Sequence, residues 1–374
     1  MFSSEAQRNA DACRFCWMCR HMCPTGAVTG NEAFTPRARG LLASMVERGI
    51  GFDGDMAGVM YTCCLCDACA HDCVTGFKPS EYIREARMQA VVAELEPAEI
   101  TQAIGNIQQK GNVYGLDKRL ERVEKATKDL PLTAEVLVYL GQTAWYRNDE
   151  EAMALLSLLN KAGVAYTVLK DEPPSGSYMA ELMGYTGDVQ EMAARLAKRI
   201  DDSKAEYMVV LNPHDAFIFI QDYPRWGLLE GIQPMTATSY VAQLIEDKKL
   251  TPQRASSLTA PAAIHDPCKL SRALDETDAI RKIADSLGVE LKELFLNRKL
   301  TRCCGGVPLM MYKPALVKLI AREREYDAVR IEVRKVLTAC PDCLHIFGAG
   351  TSGEVEFSGI FRLLDENCCN VRSE

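Results

Sequence analysis

Cysteine spacing is where this sequence declares a chemistry. One run reads Cys13-Arg-Phe-Cys16-Trp-Met-Cys19-Arg-His-Met-Cys23-Pro24, and a second reads Cys63-Cys64-Leu-Cys66-Asp-Ala-Cys69-Ala-His-Asp-Cys73-Val74. Both follow Cys-x2-Cys-x2-Cys-x3-Cys. Three thiolates at that spacing wrap a tight loop around three iron corners of a cubane. The fourth corner is filled from elsewhere, and in two-cluster ferredoxins the last cysteine of each run serves the other cluster. The spacing therefore predicts two [4Fe–4S] clusters. One would sit on Cys13, Cys16, Cys19 and Cys73, the other on Cys63, Cys66, Cys69 and Cys23. A lone Cys-x2-Cys also suits zinc or a redox dithiol, but two complete sets argue against both. Cys64 fits neither spacing and is left outside the ligand sets. Val74 departs from the proline found at Pro24, a position that does not ligate. His21 and His71 occupy the same place in the two runs. An imidazole there either donates an N–H to cluster sulfur or packs, and packing is the expectation.

A second constellation lies far along the chain. It comprises His265-Asp-Pro-Cys268, Cys303-Cys304-Gly305-Gly306 and Cys340-Pro-Asp-Cys343, or Cys-x34-Cys-Cys-x35-Cys-x2-Cys. Five thiols exceed the corners of one cubane, so the set suggests either an unusual cluster or a cubane with a spare thiol. The two glycines let backbone approach a cofactor closely. His265, three residues before Cys268, is placed to orient or donate near the site, as is His214 less directly. Cys368-Cys369 is expected to have no function.

These residues need elements to hold them. Residues 1–95 read as mostly helical, with Thr35 as N-cap, Pro36 at the first helical position and Leu41, Leu42 and Met45 on the apolar face. Pro79 opens a second helix through Val92. Residues 96–132 read as a solvated helical linker. From 133 onward strands alternate with helices. Expected strands are 135–140, 165–169, 207–211, 262–265, 289–294 and 336–339, and expected helices 150–161, 189–200, 277–287 and 315–330. Such alternation predicts an α/β architecture with a largely parallel sheet. The element order of 133–250 recurs in 260–366, a faint internal repeat. The three cysteine loops then fall at strand carboxyl ends, where open parallel sheets bind ligands.

The set Cys268, Cys303, Cys304, Cys340 and Cys343 resembles the CCG, or cysteine-rich, domain of the heterodisulfide reductase B subunit. The domain also occurs in the iron–sulfur subunits of glycolate oxidase and anaerobic glycerol-3-phosphate dehydrogenase. Those subunits begin with a two-cluster ferredoxin region, and Gly111-Asn-Val-Tyr-Gly115 resembles a segment they carry between the two parts. The resemblance implies an α+β chain overall: a mostly α-helical two-cluster ferredoxin domain (1–95), a linker (96–132), and a pseudo-duplicated α/β CCG pair (133–255 and 256–374). The first repeat has lost its ligands. Gln142, Pro174-Ser175-Gly176 and Asn212-Pro-His-Asp215 stand where the family has cysteines. The resemblance further implies a third iron–sulfur cluster, cubane or noncubane, on the five C-terminal thiols.

No convincing nucleotide-binding glycine motif follows a strand, so no flavin or nicotinamide is expected on this chain. The expected role is electron transfer between a flavin-containing, hydroxyacid-type dehydrogenase subunit and a quinone or other membrane electron carrier. A heterodisulfide reductase-like terminal reduction at the CCG cluster is the alternative. Composition agrees. Sixteen cysteines in tight groups, with a formal net charge of −8, fit metal ligation better than a disulfide scaffold and argue against nucleic acid. No apolar run is long enough to span a bilayer, and the polar start lacks the apolar core of a signal peptide. The expected location is the cytoplasm, with peripheral attachment at the inner membrane face through partners.

Overall fold

The computed structural model describes residues 2–255, 258 and 260–369. Its N-terminal part is helical: Ser4–Asp11, Pro24–Thr29, Pro36–Glu47, Gly54–Tyr61 and Pro79–Val92. Thr35 caps the third of these, accepting from the Ala38 N–H with Pro36 in the first turn. The buried face of that helix is Arg39, Gly40 and Ala43, whereas Leu41 is exposed. The expected apolar stripe is thus rotated. Gly40 presses on the Phe77 ring, where a Cβ would stand 3.0 Å from it, and Arg39 turns toward the cysteine runs.

Residues 96–132 depart from the expected solvated linker. Helix Ala98–Lys110 buries Ile100, Ala103, Ile104 and Ile107 against helices Ser177–Met183 and Val307–Tyr312. A left-handed Gly111 ends it. Beyond it the Val113 N–H donates to Gln142 Oε1 at 2.7 Å, and Tyr114 Oη meets Thr143 Oγ1 at 2.7 Å. The Gly111–Gly115 segment therefore fastens the loop after the first strand.

That strand is β1 (Val136–Tyr139). It lies in a parallel sheet with β2 (Tyr166–Val168), β3 (Tyr207–Val210) and β4 (Gln233–Thr236), in the order β2-β1-β3-β4. A short antiparallel pair joins β5 (Thr251–Pro252) to the chain's last strand. A second parallel sheet runs β6 (Ala263–Ile264), β7 (Lys335–Thr338), β8 (Glu356–Gly359). Leu291 bridges Ala262 in parallel on the other side of β6, so the second sheet follows the order of the first. The expected strand over 289–294 survives only as that bridge. Its backbone bonds run from Ala262 N to Glu290 O and from Lys292 N to Ala262 O, both 2.9 Å. The partner of β5, β9 (Cys368–Cys369), leaves Cys368 buried and Cys369 exposed, with both thiols free. Among the described residues no helix is long and apolar enough to cross a membrane.

Candidate functional site: three groups of thiols

The two N-terminal runs share one local geometry. Phe15 and Leu65, each between the first two cysteines of its run, are left-handed at φ 52° and 47°. Each N–H points back at the first cysteine, Phe15 to Cys13 Sγ and Leu65 to Cys63 Sγ, both at 3.3 Å. The last cysteines also match: Cys23 Sγ meets Thr25 Oγ1 and Cys73 Sγ meets Thr75 Oγ1, each at 3.2 Å. A non-glycine residue held left-handed twice at one motif position is a costly conformation, and here it buys an N–H aimed at sulfur. Electrostatic proximity crosses between the runs. Cys73 is among the charges that Cys13 feels, and Cys23 among those felt by Cys69.

The first run reaches the surface. Cys16, Trp17 and Met18 are exposed, as is Val74 beside Cys73. The guanidinium groups of Arg20 and Arg37 stand 5.1 and 4.5 Å from the Trp17 ring centroid. His21 and His71 are exposed too, so neither packs as expected.

The C-terminal thiols are deeply enclosed. Cys268, Cys303, Cys304, Cys340 and Cys343 are between 1% and 7% exposed. Cys268 Sγ lies 3.7 Å from Cys303 Sγ, and Cys343 Sγ 3.4 Å from Cys304 Sγ. Three loops bring them together. Cys268 follows β6 and enters a π-helical turn, Lys269–Ala273. Cys340 follows β7 and caps helix Pro341–Gly350, its sulfur accepting from the Cys343 N–H at 3.4 Å. Between them Gly305, at φ 114°, donates its N–H to Cys303 Sγ at 3.3 Å. A side chain at Gly305 would strain the backbone and press on Val317, 3.1 Å away. Hydrogen bonding from Cys303 and Cys343 holds the Cys304 thiol below its ordinary value despite its burial.

His265 completes this pocket. Its ligand nitrogen and the sulfurs of Cys304 and Cys343 all lie within 4.8 Å of one another. Burial and the neighbouring Arg324 push its pKa well below the usual imidazole value, so the ring is neutral. Nδ1 accepts from Arg324 Nε at 3.2 Å, which leaves the proton on Nε2. That buried Nε2 has no partner among the described residues.

The cysteine-free half around the first sheet holds a polar network that presses on the C-terminal cysteine loops. Asp342, between Cys340 and Cys343 and fully buried, accepts from Thr143 Oγ1, Tyr178 Oη and Asn212 Nδ2 at 2.5 to 2.8 Å. His214 lies 3.9 Å from Asp342 and 3.1 Å from Glu181, and Glu181 pairs with Lys269 at 2.9 Å. Burial opposes charge on His214, but Glu181 more than offsets it and raises the imidazole to about 9. Gly141, left-handed at φ 86°, lets this network close, because a Cβ there would meet Asp215 Oδ2.

The second cysteine run is bound onto the C-terminal set. Lys269 Nζ donates to Leu65 O at 3.3 Å and Arg272 Nε to Cys66 O at 2.6 Å. Arg272 also grips Thr301 O at 2.7 Å. Cys66 packs against the buried cluster that contains Cys303. Neither Arg272 nor Cys64, which shares this buried cluster, is visible as a site residue from spacing alone.

Do these residues fit iron–sulfur groups? Arg39 is 1% exposed and bonds Thr62 Oγ1 at 2.8 Å, Thr25 Oγ1 at 3.2 Å and Cys23 Sγ at 3.8 Å. Arg87, also buried, donates to the carbonyls of Met60, Cys63 and Glu181. Among the described residues neither forms an ion pair with a carboxylate. Buried cations without counter-charge are strongly disfavoured, and thiolate-ligated clusters are anionic. Arg39, Arg87, the N–H groups aimed at sulfur and the orphaned His265 Nε2 all fit such groups.

Residues 262–348 match the cysteine-rich domain family, CCG. The chain is 26% identical over 312 residues to the probable iron-sulfur-binding oxidoreductase FadF of Bacillus subtilis, covering 79% of this chain and 44% of that protein. It is 27% identical over 316 residues to a probable membrane-anchored ferredoxin of Chromohalobacter salexigens, covering 77% and 44%. To the D subunit of the dihydromethanophenazine:CoB–CoM heterodisulfide reductase of Methanosarcina acetivorans it is 26% identical over 363 residues, covering 89% and 87%. The chain thus spans less than half the length of the first two of these relatives. Residues 262–348 are thus similar to the CCG domain, and the chain over most of its length is similar to iron–sulfur oxidoreductase and heterodisulfide reductase subunits.

Proposed function

We propose that this chain is an electron-transfer subunit of a larger oxidoreductase, carrying electrons between a flavin-containing dehydrogenase partner and a quinone or other carrier. The observation that carries the reading is the continuity of thiols from exposed Cys16, through the second run, to Cys66 against the buried cluster that contains Cys303. In this reading Cys13, Cys16, Cys19 and Cys73 hold one cubane, Cys63, Cys66, Cys69 and Cys23 a second, and Cys268, Cys303, Cys304, Cys340 and Cys343 a third group. Iron–sulfur clusters supply one-electron steps when bound. The chain's own residues do the rest. Arg39 and Arg87 balance charge at the second set, His265 Nε2 supplies an N–H at the third, and burial keeps water from the C-terminal thiols. The crossing proximities of Cys13 to Cys73 and Cys69 to Cys23 support the exchanged fourth ligand. The shared sheet order supports a pseudo-duplicated pair whose first member has become scaffold.

A second reading, terminal reduction of a disulfide or related substrate at the C-terminal set, has one observation in its favour. Lys269, Glu181, His214 and Asp342 form a buried acid–base chain beside Cys268 and Cys343, and disulfide reduction consumes protons. Its weakness is the enclosure of all five thiols, each 7% exposed or less.

Anaerobic reconstitution with iron and sulfide tests the primary reading. About twelve iron atoms per chain are expected, falling to about eight in Cys268→Ser with Cys340→Ser. Electrons from a reduced flavoprotein should reach the C-terminal centre, followed by EPR, only while the first run is intact. Reduction of that centre at the full rate in Cys13→Ser with Cys16→Ser, or catalytic turnover of a disulfide by the isolated chain, would favour the second reading.

A further inference from the structure

The two cysteine runs treat one equivalent position in opposite ways. The residue after the first cysteine is Arg14 in one run and Cys64 in the other. The backbone on its far side is the same in both: a left-handed residue, Phe15 or Leu65, whose N–H binds the first sulfur. A loop closed that way around its own sulfurs turns the intervening side chain outward. Arg14 is accordingly exposed, its guanidinium bonding Asp11 O at 2.7 Å. Cys64, by contrast, is buried at the boundary between its own run and the C-terminal thiol set. It is 9% exposed and shares a buried cluster with Cys268, Cys303, Cys304, Cys340 and Cys343. The Cys303 thiol is a hydrogen-bonding neighbour of the Cys64 thiol, and the charges of Cys66, Cys63 and Cys23 are also felt there.

The placement is held from both sides. Lys269 and Arg272, which follow Cys268 closely, bind the carbonyls of Leu65 and Cys66, the two residues that follow Cys64 in this turn. Leu65 itself is buried, at 1%. A buried cysteine ordinarily serves as a small apolar side chain. Here the buried cluster that holds it contains all five C-terminal cysteines beside its apolar members.

We propose that Cys64 is a sixth thiol ligand of the iron–sulfur group at Cys268, Cys303, Cys304, Cys340 and Cys343, contributed from the N-terminal run. The inference rests on the reading that this set binds an iron–sulfur group. Ligation breaks the S–H bond of Cys64, forms an Fe–Sγ bond and releases the proton to water, with no change of oxidation state. Adjacent residues then ligate two different groups: Cys63 the second cubane, Cys64 the C-terminal centre. One peptide unit links the two, and the C-terminal centre becomes a joint property of both regions.

The test compares wild type, Cys64→Ala, Cys64→Ser and, as control, Cys369→Ser, all reconstituted anaerobically. Circular dichroism and thermal melting establish folding. The expected result is that wild type and the control hold about twelve iron atoms. The Cys64 variants should either lose about a third of that iron or show altered EPR and Mössbauer parameters and a shifted potential for the C-terminal centre, with the N-terminal signals unchanged. Unchanged iron, spectra and potential in Cys64→Ala would reduce Cys64 to a packing residue. Loss of an N-terminal signal instead would assign it to the second cubane, also overturning the proposal. If wild type itself holds only about eight iron atoms, the parent reading falls, and the inference with it. A measurement on wild type alone guards against variants that do not fold. Methyl methanethiosulfonate should modify Cys64 in chelator-stripped protein and spare it in loaded protein, and equal reactivity in the two states counts against ligation.

Discussion

Arg39 shows how much a single residue can report. It sits in a helix whose pattern reads as amphipathic, and an arginine there would ordinarily face water. Instead it is buried among Cys23, Thr25 and Thr62. Removing this charge should make the adjacent cluster harder to reduce. Arg39→Met is expected to lower its midpoint potential on the order of 100 mV, as for a unit charge about 7 Å away at an effective dielectric near 20, with Arg39→Lys retaining most of the wild-type value. A redox titration followed by EPR checks it. The grouping of the cysteines is legible because it is written as spacing along the chain itself. The placement of Arg39, Arg272 and Cys64 is not, because it is set by what packs against them from distant sequence. His21 and His71 misled for the converse reason: a repeated place in a motif does not by itself bury a side chain, and both are exposed.

At the scale of elements, helices were read well where a cap and a long apolar period coincide. Thr35-Pro36 and Pro79 open helices at the expected places, and the helix Glu150–Lys161 has its expected bounds. The edge strands β4 and β8 were missed. They are four residues each, QPMT and EFSG, and neither has the β-branched run that marks a strand. Pro234 is tolerated because β4 is at the sheet edge. The helix Glu150–Lys161 also holds a buried carboxyl that its pattern presents as an ordinary first-turn acid. Glu151 accepts the N–H groups of Phe361 and Arg362, fixing the start of helix Ile360–Glu366. Burial raises it to about 8 from 4.5. The fold therefore favours the protonated form. Its contribution is present below about pH 4.5 and is lost as pH rises through about 8. Thermal melts should show Glu151→Gln gaining on wild type between those limits, and matching it in acid. Gly359 borders the same carboxyl, and an added Cβ there would overlap it. Gly359→Ala is expected to cost about 1–3 kcal/mol by overpacking, measured by denaturant unfolding.

The whole molecule grades from exposed to enclosed. Its outer end presents Trp17, Met18 and Val74, flanked by Arg20 and Arg37, while its inner end is sealed. That polarity suits a protein electron donor at the outer end. Trp17→Ala should slow reduction by a protein donor such as reduced flavodoxin by about tenfold, the effect of losing one anchoring aromatic, and leave reduction by dithionite unchanged. Stopped-flow absorbance distinguishes the two. The element order that recurs in the sequence has a counterpart in the matching strand orders of the two parallel sheets. What the order could not convey is that the half around the first sheet seats Thr143, Tyr178 and Asn212 on Asp342, inside a cysteine loop of the other half. Nor could it show that the intervening helix Ala98–Lys110 is core.

The clasp made by Lys269 and Arg272 on the loop at Leu65 and Cys66 bears on biogenesis. That loop packs on the buried cluster of the C-terminal thiols, each 7% exposed or less, so in the proposed reading iron and sulfide would reach them by opening of the clasp. Cofactor insertion would then be coupled to folding, as it is wherever ligands converge only in the native state. A chain that closes before it is filled would have to reopen to mature, and loading in vitro would proceed at the rate of that opening.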